Sequence, residues 1–402
     1  MNSAKLYVVG LLLAVSGLWG LTAPADGAEA GQQKQEIAVK NSTLRVAAAQ
    51  TRDRTVDWRI ADTAAVLGQV DQSLGELEQL VHKAGEAKCD AIAFPEDTLG
   101  LLKWEAAHPD RLQEVLPTAV SRMIERLGRA AASHRMYLIV CNDTVEKDGT
   151  SRNTAFFIGR DGRELGHYNK VNLPITEQAR TRGDSFPVFE TPDLGGVGMA
   201  ICYDMMFPET TRCLALSGAD VVFVPTLGGA SLGEGDIDRA AFRTRAADNL
   251  LWLIVAKRGS GSMVISPKGK VVAEANGADS LAIAEIEPAG QREAGDAFNW
   301  QRDYRSRLFR ERVPAAYEIL TAPHPPALDK LPQTIRTEDA IRIFAGALTV
   351  GEQRFGEADA LQRAGKTAEA IHAFEQLKAE YPASWIDRSA SQRLAQLREQ
   401  AK

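Results

Sequence analysis

The chain has 402 residues, of which 45% are apolar and 25% are charged, a balance typical of a globular protein. Its 47 basic and 53 acidic residues give a net charge of -6, which argues against a basic nucleic-acid-binding protein, and its apolar content argues against wholesale disorder. The six histidines lie apart and lack the ligand spacing of a zinc site, so no metal is expected.

The first 30 residues have the pattern of a cleavable secretory signal peptide. Lys5 precedes an apolar run over residues 6–21, and small residues follow up to Ala30. The alternative is an uncleaved membrane anchor through residues 6–21, because this run approaches the roughly 17 residues of a short membrane span. The Ala28-Glu29-Ala30 ending favours cleavage, so the mature protein is expected to be exported, either periplasmic or secreted.

After a polar leader over residues 31–42, strands and amphipathic helices alternate along the chain. The hydrophobic periodicity predicts strands at 44–50, 91–94 and 137–140, and helices through 67–84 and 120–131. Turns at 160–163 and 268–270 predict two β-hairpins. Between them lie a predicted strand at 197–202, a helix at 208–216 and a strand at 221–224. This alternation predicts an α/β fold, with the folded domain assigned to residues 43–322.

The last part of the chain is predicted to be a separate helical extension. Four prolines between Pro323 and Pro332 predict an extended linker over residues 323–336. Residues 337–402 are helix-forming, and the spacing of Ala370, Phe374 and Pro382 resembles a tetratricopeptide helix pair. A single repeat of this kind is rarely stable alone, so it would pack on the main domain, pair with a protein partner, or be an incidental helical hairpin.

Three apolar, strand-like runs each end in a residue that can take part in catalysis. These residues are Glu96, Lys170 and Cys202. The ends of buried strands can converge on one pocket, which would bring a carboxylate, an ammonium group and a thiol together. The thiolate is the reactive form of cysteine, and both a base and a nearby cation help to generate it. The pattern therefore predicts a nucleophilic site. By contrast, Cys89, Cys141 and Cys213 are expected to be buried core thiols.

With these residues in their motifs, the chain resembles the carbon-nitrogen hydrolase family, also called the nitrilase superfamily, from about Leu44 to Glu318. The matching motifs are PED at 95–97, YNKVNL at 168–173, GD-FPVFETP at 183–192, GVGMAICYDMMFPE at 196–209, GADVVFVPT at 218–226 and RTRAADN at 243–249. The resemblance implies a four-layer α-β-β-α sandwich, to which a small all-α C-terminal extension is added. It also implies a homodimer and no cofactor.

The family's Glu-Lys-Cys triad implies a role for each matching residue. Cys202 would attack the substrate carbon, and Glu96 would act as the general base. Lys170 and the backbone N–H of Tyr203 would hold the oxyanion, while Glu177 would orient Lys170 or the substrate. The chain departs from the family pattern at Asn172, where a histidine is common, and in the Gly-rich segment 227–238.

The leading hypothesis is an exported thiol hydrolase that cleaves a small amide, carbamoyl compound or nitrile. Tyr203 follows the predicted nucleophile, whereas true nitrilases commonly carry tryptophan there, so amide hydrolysis is preferred. Acyl transfer is disfavoured because the members of the family that catalyse it carry several membrane spans, whereas no stretch of this sequence beyond residues 6–21 is long and apolar enough to predict one. The alternative from another class is a scaffold or binding protein that retains the hydrolase fold and presents its C-terminal helices to a partner.

Overall fold

The computed structural model describes residues 43–231, 236–288 and 304–400, and these residues form two six-stranded β-sheets. The strands of the first sheet are β1 (Leu44–Gln50), β2 (Ala91–Ala93), β3 (Tyr137–Val145), β4 (Ser151–Ile158), β5 (Glu164–Asn169) and β12 (Ser280–Ile286). Those of the second are β6 (Val188–Thr191), β7 (Gly195–Met199), β8 (Val221–Thr226), β9 (Trp252–Lys257), β10 (Met263–Ile265) and β11 (Val271–Glu274). The strand orders are β12-β1-β2-β3-β4-β5 and β11-β10-β9-β8-β7-β6.

The central strands of each sheet run parallel, so their carboxyl ends lie along one edge. In the first sheet β1, β2 and β3 are parallel, and β5 runs in the same direction because it is separated from β3 by the antiparallel β4. In the second sheet β7, β8 and β9 are parallel. Loops that follow these strands can therefore converge at one end of the domain.

Six helices accompany the sheets in the part of the chain described. They are α1 (Thr63–Glu86), α2 (Leu102–Ala107), α3 (Leu112–Ser133), α4 (Pro208–Leu216), α5 (Ile237–Asn249) and α6 (Tyr304–Arg310). Helices α1 and α3 share a core with the outer face of the first sheet, and α4 and α5 share one with the outer face of the second.

A third core lies between the two sheets. Strand β1 contributes Val46 and Ala48 to it, whereas Ala47 and Ala49 face the helices. This alternation follows from the two-residue period of a β-strand and lets one apolar strand fill two layers at once. The four-layer α-β-β-α sandwich is thus confirmed.

The C-terminal residues form four further helices. These are α7 (Thr337–Gly346), α8 (Glu352–Arg363), α9 (Thr367–Glu380) and α10 (Trp385–Gln400), and a π-helical turn joins α7 to α8. Gly365 has a φ of 74°, a left-handed conformation that lets the chain turn sharply after α8. The helices have their own apolar core, in which Phe374 and Ile386 are fully buried. The helical extension therefore exists, while its likeness to a tetratricopeptide pair stays a prediction.

The extension packs on the main domain. Helix α7 lies against α2 and against the 3₁₀ turn Ile175–Glu177, and Lys103 of α2 forms an ion pair with Glu352 of α8. Among the three arrangements considered from the sequence, packing on the main domain is the one observed. The proposed signal peptide and polar leader lie outside the described residues. No helix within the described ranges is long and apolar enough to cross a membrane.

Candidate active site

Glu96 and Lys170 meet at the carboxyl edge of the first sheet. Glu96 follows β2 after two residues, and Lys170 comes directly after β5. Both side chains are buried, with 4% and 0% of their surface exposed. The Lys170 Nζ atom donates hydrogen bonds to Glu96 Oε1 and to Glu177 Oε2, each at 2.9 Å. One ammonium group thus bridges two carboxylates.

Cys202 reaches the same place from the second sheet. The sequence predicted a strand through Cys202, but β7 ends at Met199 and Cys202 begins a 3₁₀ turn over Cys202–Met206. Cys202 itself has a φ of 45°, a left-handed conformation that is costly for a residue other than glycine. The prediction of the strand end was wrong because an apolar run does not show where the chain leaves the sheet. The turn lifts the thiol off the sheet edge toward Glu96.

The charges of the three residues depend on one another. Burial raises the pKa of Cys202 to about 12, and the Glu96 carboxylate acts in the same direction. Burial opposes ionisation of Glu96, but the Lys170 ammonium group, together with hydrogen bonds that include one from the Cys202 thiol, lowers the pKa of Glu96. Burial also opposes the charge on Lys170, yet the two carboxylates raise its pKa well above the ordinary value. The resting site therefore holds a neutral thiol, an ionised Glu96 and a charged Lys170.

Two further residues complete the surroundings of Glu96, and sequence reasoning missed both contacts. Asn153 Nδ2 donates to Glu96 Oε1 at 2.8 Å, and the backbone N–H of Leu227 donates to Oε2 at 3.2 Å. Asn153 lies on β4 shortly before its apolar residues. A polar residue in that position of a buried strand was the feature of the sequence that could have indicated a role in the site. Thr226, at the end of β8, hydrogen-bonds the Cys202 thiol and acts to lower its pKa.

The predicted supporting residues lie beside the triad. Glu177 belongs to the 3₁₀ turn Ile175–Glu177, and burial raises its pKa even though Lys170 is its partner. The Tyr203 ring packs edge-on against Phe207, with ring centroids 5.4 Å apart.

Arg180 forms an ion pair with Asp143 and lies 3.8 Å from Glu105, so its charge is already matched within the protein.

The departure from the family pattern at Asn172 has a clear structural role. Asn172 Nδ2 donates to Asp204 Oδ1 at 2.9 Å and to Thr210 Oγ1 at 3.2 Å. A side-chain amide has two N–H donors, so both of these contacts are satisfied together. Asparagine therefore anchors this loop without a histidine.

All four cysteines are free thiols. Cys89 and Cys141 are buried, as expected, but the prediction for Cys213 was wrong because its side chain is exposed on α4. Its neighbours in sequence, Leu214 and Ala215, join the core, whereas Cys213 lies on the exposed side of the same helix.

Comparisons with known proteins give consistent results. The carbon-nitrogen hydrolase family model matches residues 45–296. A deaminated glutathione amidase from Synechocystis sp. is 29% identical over 242 residues, which cover 54% of this chain and 86% of that protein. An N-carbamoylputrescine amidase from Arabidopsis thaliana is 24% identical over 281 residues, which cover 62% of this chain and 90% of that protein. The solved structure of an amidase from Nesterenkonia sp. AN1 in complex with butyramide has a TM-score of 0.54 at 21% identity, covering 69% of this chain and 97% of that one.

Proposed function

The chain belongs to the carbon-nitrogen hydrolase family, and we propose that it hydrolyses a nonpeptide C–N bond of a small amide or carbamoyl compound through an acyl intermediate on Cys202. The observation that carries this proposal is the placement of Lys170 Nζ within 2.9 Å of both Glu96 and Glu177, at the point where Cys202 projects from its turn. A buried cation shared by two carboxylates is costly to assemble, and such arrangements are concentrated at functional sites.

In the first half of the proposed reaction, the substrate carbonyl lies between Cys202 and Lys170. Glu96 is ionised at neutral pH and accepts the thiol proton as Sγ attacks the carbonyl carbon. The Lys170 ammonium group and the backbone N–H of Tyr203 stabilise the negative oxygen of the tetrahedral intermediate. Glu96 then gives the proton to the departing ammonia or amine, which leaves a thioester on Cys202.

In the second half, water hydrolyses the thioester. Glu96 removes a proton from the water as it attacks the thioester carbon, and the same oxyanion donors hold the second tetrahedral intermediate. Its collapse breaks the C–S bond, releases the acid and returns the proton to Cys202. Glu96 thus acts first as base and then as acid in each half of the reaction, which requires a carboxylate in contact with the thiol.

The substrate class is proposed from the relatives. A deaminated glutathione amidase and an N-carbamoylputrescine amidase are among the proteins that match this chain. The test is ammonia release by the purified protein across amides, ureido acids and nitriles, with a Cys202→Ala preparation as the blank. Turnover of an amide or ureido acid supports the proposal. Turnover of nitriles alone, or equal release by the blank, contradicts it.

Gly228 is proposed to set the space beside the nucleophile. A Cβ atom at this position would lie 3.3 Å from Cys202 Sγ. The residues that follow Gly228 are held by the Asp238 carboxylate, which accepts hydrogen bonds from the backbone N–H groups of Ala230 and Ser231. A side chain at position 228 would therefore compete with the acyl group of the substrate.

We expect Gly228→Ala to lower kcat/KM for bulkier amides by roughly tenfold or more, because one added methyl group occupies acyl space. The measurement is kcat/KM across amides of increasing chain length. Gly356→Ala on α8 is the matched control, since nothing lies within 4 Å of a Cβ there. An unchanged chain-length preference in Gly228→Ala would show that this residue does not border the acyl site.

The homodimer implied by the family also remains a proposal. Large apolar side chains are exposed along residues 313–335, and they include Leu320 at 60% and Leu331 at 63% exposure. Such an accumulation on the surface is characteristic of protein–protein contact, and it supports self-association through this segment. A protein partner for the C-terminal helices stays a prediction.

Export is proposed from residues 1–30, which lie outside the described residues. Protein isolated from the native host is expected to begin just after Ala30, because small residues follow the apolar run. N-terminal sequencing of the periplasmic or secreted fraction checks this. An intact Met1 terminus in cytoplasmic protein would show that the segment is not a cleaved signal.

A further inference from the structure

Asp204 has an unusually complete set of hydrogen-bond donors for a buried carboxylate. Its side chain is 0% exposed, in the turn that Cys202 begins. Oδ2 accepts from the Ile201 N–H at 2.9 Å and from the Tyr168 hydroxyl at 2.7 Å. Oδ1 accepts from both the backbone N–H and the Nδ2 of Asn172, each at 2.9 Å. All four partners donate, an arrangement that suits a carboxylate and opposes the effect of burial, which raises the pKa of Asp204.

The donors to Asp204 flank the proposed catalytic residues. Tyr168 and Asn172 lie two positions before and two positions after Lys170, and Ile201 directly precedes Cys202. Lys170 follows β5 of the first sheet, whereas Cys202 follows β7 of the second. One carboxylate therefore ties together two loops that come from different sheets.

This connection also bears on the conformation of Cys202. A left-handed, non-glycine residue persists only where its surroundings hold it in place. The Asp204 bond to the Ile201 N–H closes the turn from within, while the bonds to Tyr168 and Asn172 attach the turn to the lysine loop. Without Asp204, the thiol and the ammonium group would lose their shared anchor.

We propose that Asp204 is a positioning residue that fixes the placement of the Cys202 thiol relative to the Lys170 ammonium group. Asp204 acts through its neighbours, since its hydrogen bonds come from Ile201, Tyr168 and Asn172. The inference rests on the proposed function, because it takes Cys202 as the nucleophile and Lys170 as an oxyanion donor. A carboxylate with a purely local role would need only the Ile201 bond that closes its own turn.

The test is Asp204→Asn, assayed for kcat and KM with an amide turned over by the wild-type protein. The introduced side-chain amide has two possible orientations. In one its Nδ2 faces the two donors of Asn172, and in the other it faces the Ile201 N–H; in both, an N–H donor replaces an oxygen that accepts these hydrogen bonds. We expect kcat to fall by about a hundredfold with little change in KM, as for a displaced catalytic group.

Asp220→Asn is the matched control. Asp220 is also 0% exposed and accepts hydrogen bonds from the Gly196 N–H at 2.9 Å and from Arg305 at 2.7 Å. It precedes β8, at the strand end opposite the site, so its replacement should lower Tm while leaving kcat close to the wild-type value. A wild-type kcat in Asp204→Asn, or equal losses of kcat in the two aspartate variants, would overturn the proposal.

Asn172→Ala decides the matter if Asp204→Asn does not fold, because it removes one donor and leaves the carboxylate in place. A lower kcat with unchanged KM supports positioning, and a wild-type kcat overturns it. The proposed function fails separately: it is lost if Cys202→Ala keeps its turnover. If Cys202→Ala is inactive and the Asp204 variants are fully active, only the positioning role is wrong.

Discussion

Replacing Cys202 by alanine is expected to remove ammonia release, with a loss of about four orders of magnitude or more in kcat. The variant keeps Glu96, Lys170 and Glu177 in place but has no atom that can form the acyl intermediate. The measurement is ammonia release by the purified variant at enzyme concentrations high enough to detect residual turnover. Mass spectrometry after incubation with substrate should show no acylated protein.

Two comparisons make the Cys202 result specific. Cys202→Ser is also expected to be nearly inactive, because a hydroxyl group is far harder to deprotonate than a thiol, and the pKa of Glu96 is below its ordinary value. Cys213→Ser should be fully active, since this exposed thiol lies on α4 outside the site. Substantial turnover by Cys202→Ala would refute the proposed mechanism.

Lys170→Ala should abolish turnover and also destabilise the fold. It leaves the Glu96 and Glu177 carboxylates buried without the cation they share, and removing one partner of a buried ion pair typically costs about 3–5 kcal/mol in the free energy of unfolding. Thermal and urea unfolding followed by circular dichroism measure this loss. Lys103→Ala is the control: its ion pair with Glu352 is partly exposed, so about 1 kcal/mol or less is expected.

The destabilisation by Lys170→Ala should depend on pH in a defined direction. In the wild-type protein the pKa of Glu96 is lowered, so its contribution to stability is present at neutral pH and is lost as the pH falls through that pKa. In the variant, burial without the cation raises the pKa of both carboxyl groups, and the folded state binds protons more readily than the unfolded state. The difference in Tm between the two proteins should therefore shrink from neutral toward acidic pH. A difference that grows on acidification would contradict this account.

A second substitution tests the same reasoning. Adding Glu177→Gln to Lys170→Ala removes one of the two unpaired charges, so the double variant should be more stable than Lys170→Ala at neutral pH while remaining inactive. If the double variant is no more stable, the cost of Lys170→Ala lies in lost packing and not in unpaired charge.

Much of the fold was predictable because its signals are local. The bounds of β1 and of α4 were predicted as they are observed. The hydrophobic period of a strand, and the residues Pro208 and Gly218 that mark the ends of the helix, can be recognised within a short stretch of sequence. Glu96, Lys170 and Cys202 were also identified as a group, because each lies in a motif near the end of an apolar run. The parallel strands then bring those ends to one edge of the domain.

What the tertiary structure decided depends on residues far apart in the chain. Asn153 contacts Glu96 across 57 positions, and Asp204 contacts Tyr168 across 36, so no local pattern indicates either hydrogen bond. The turn at Cys202 follows a run as apolar as any strand, and the left-handed φ of Cys202 occurs beside hydrogen bonds to Asp204 from Ile201 and from the distant residues Tyr168 and Asn172. The pKa values of the triad likewise depend on burial and on the distances between charges. Sequence by itself determined which residues are proposed to carry the chemistry, whereas their protonation and spacing are properties of the packed fold.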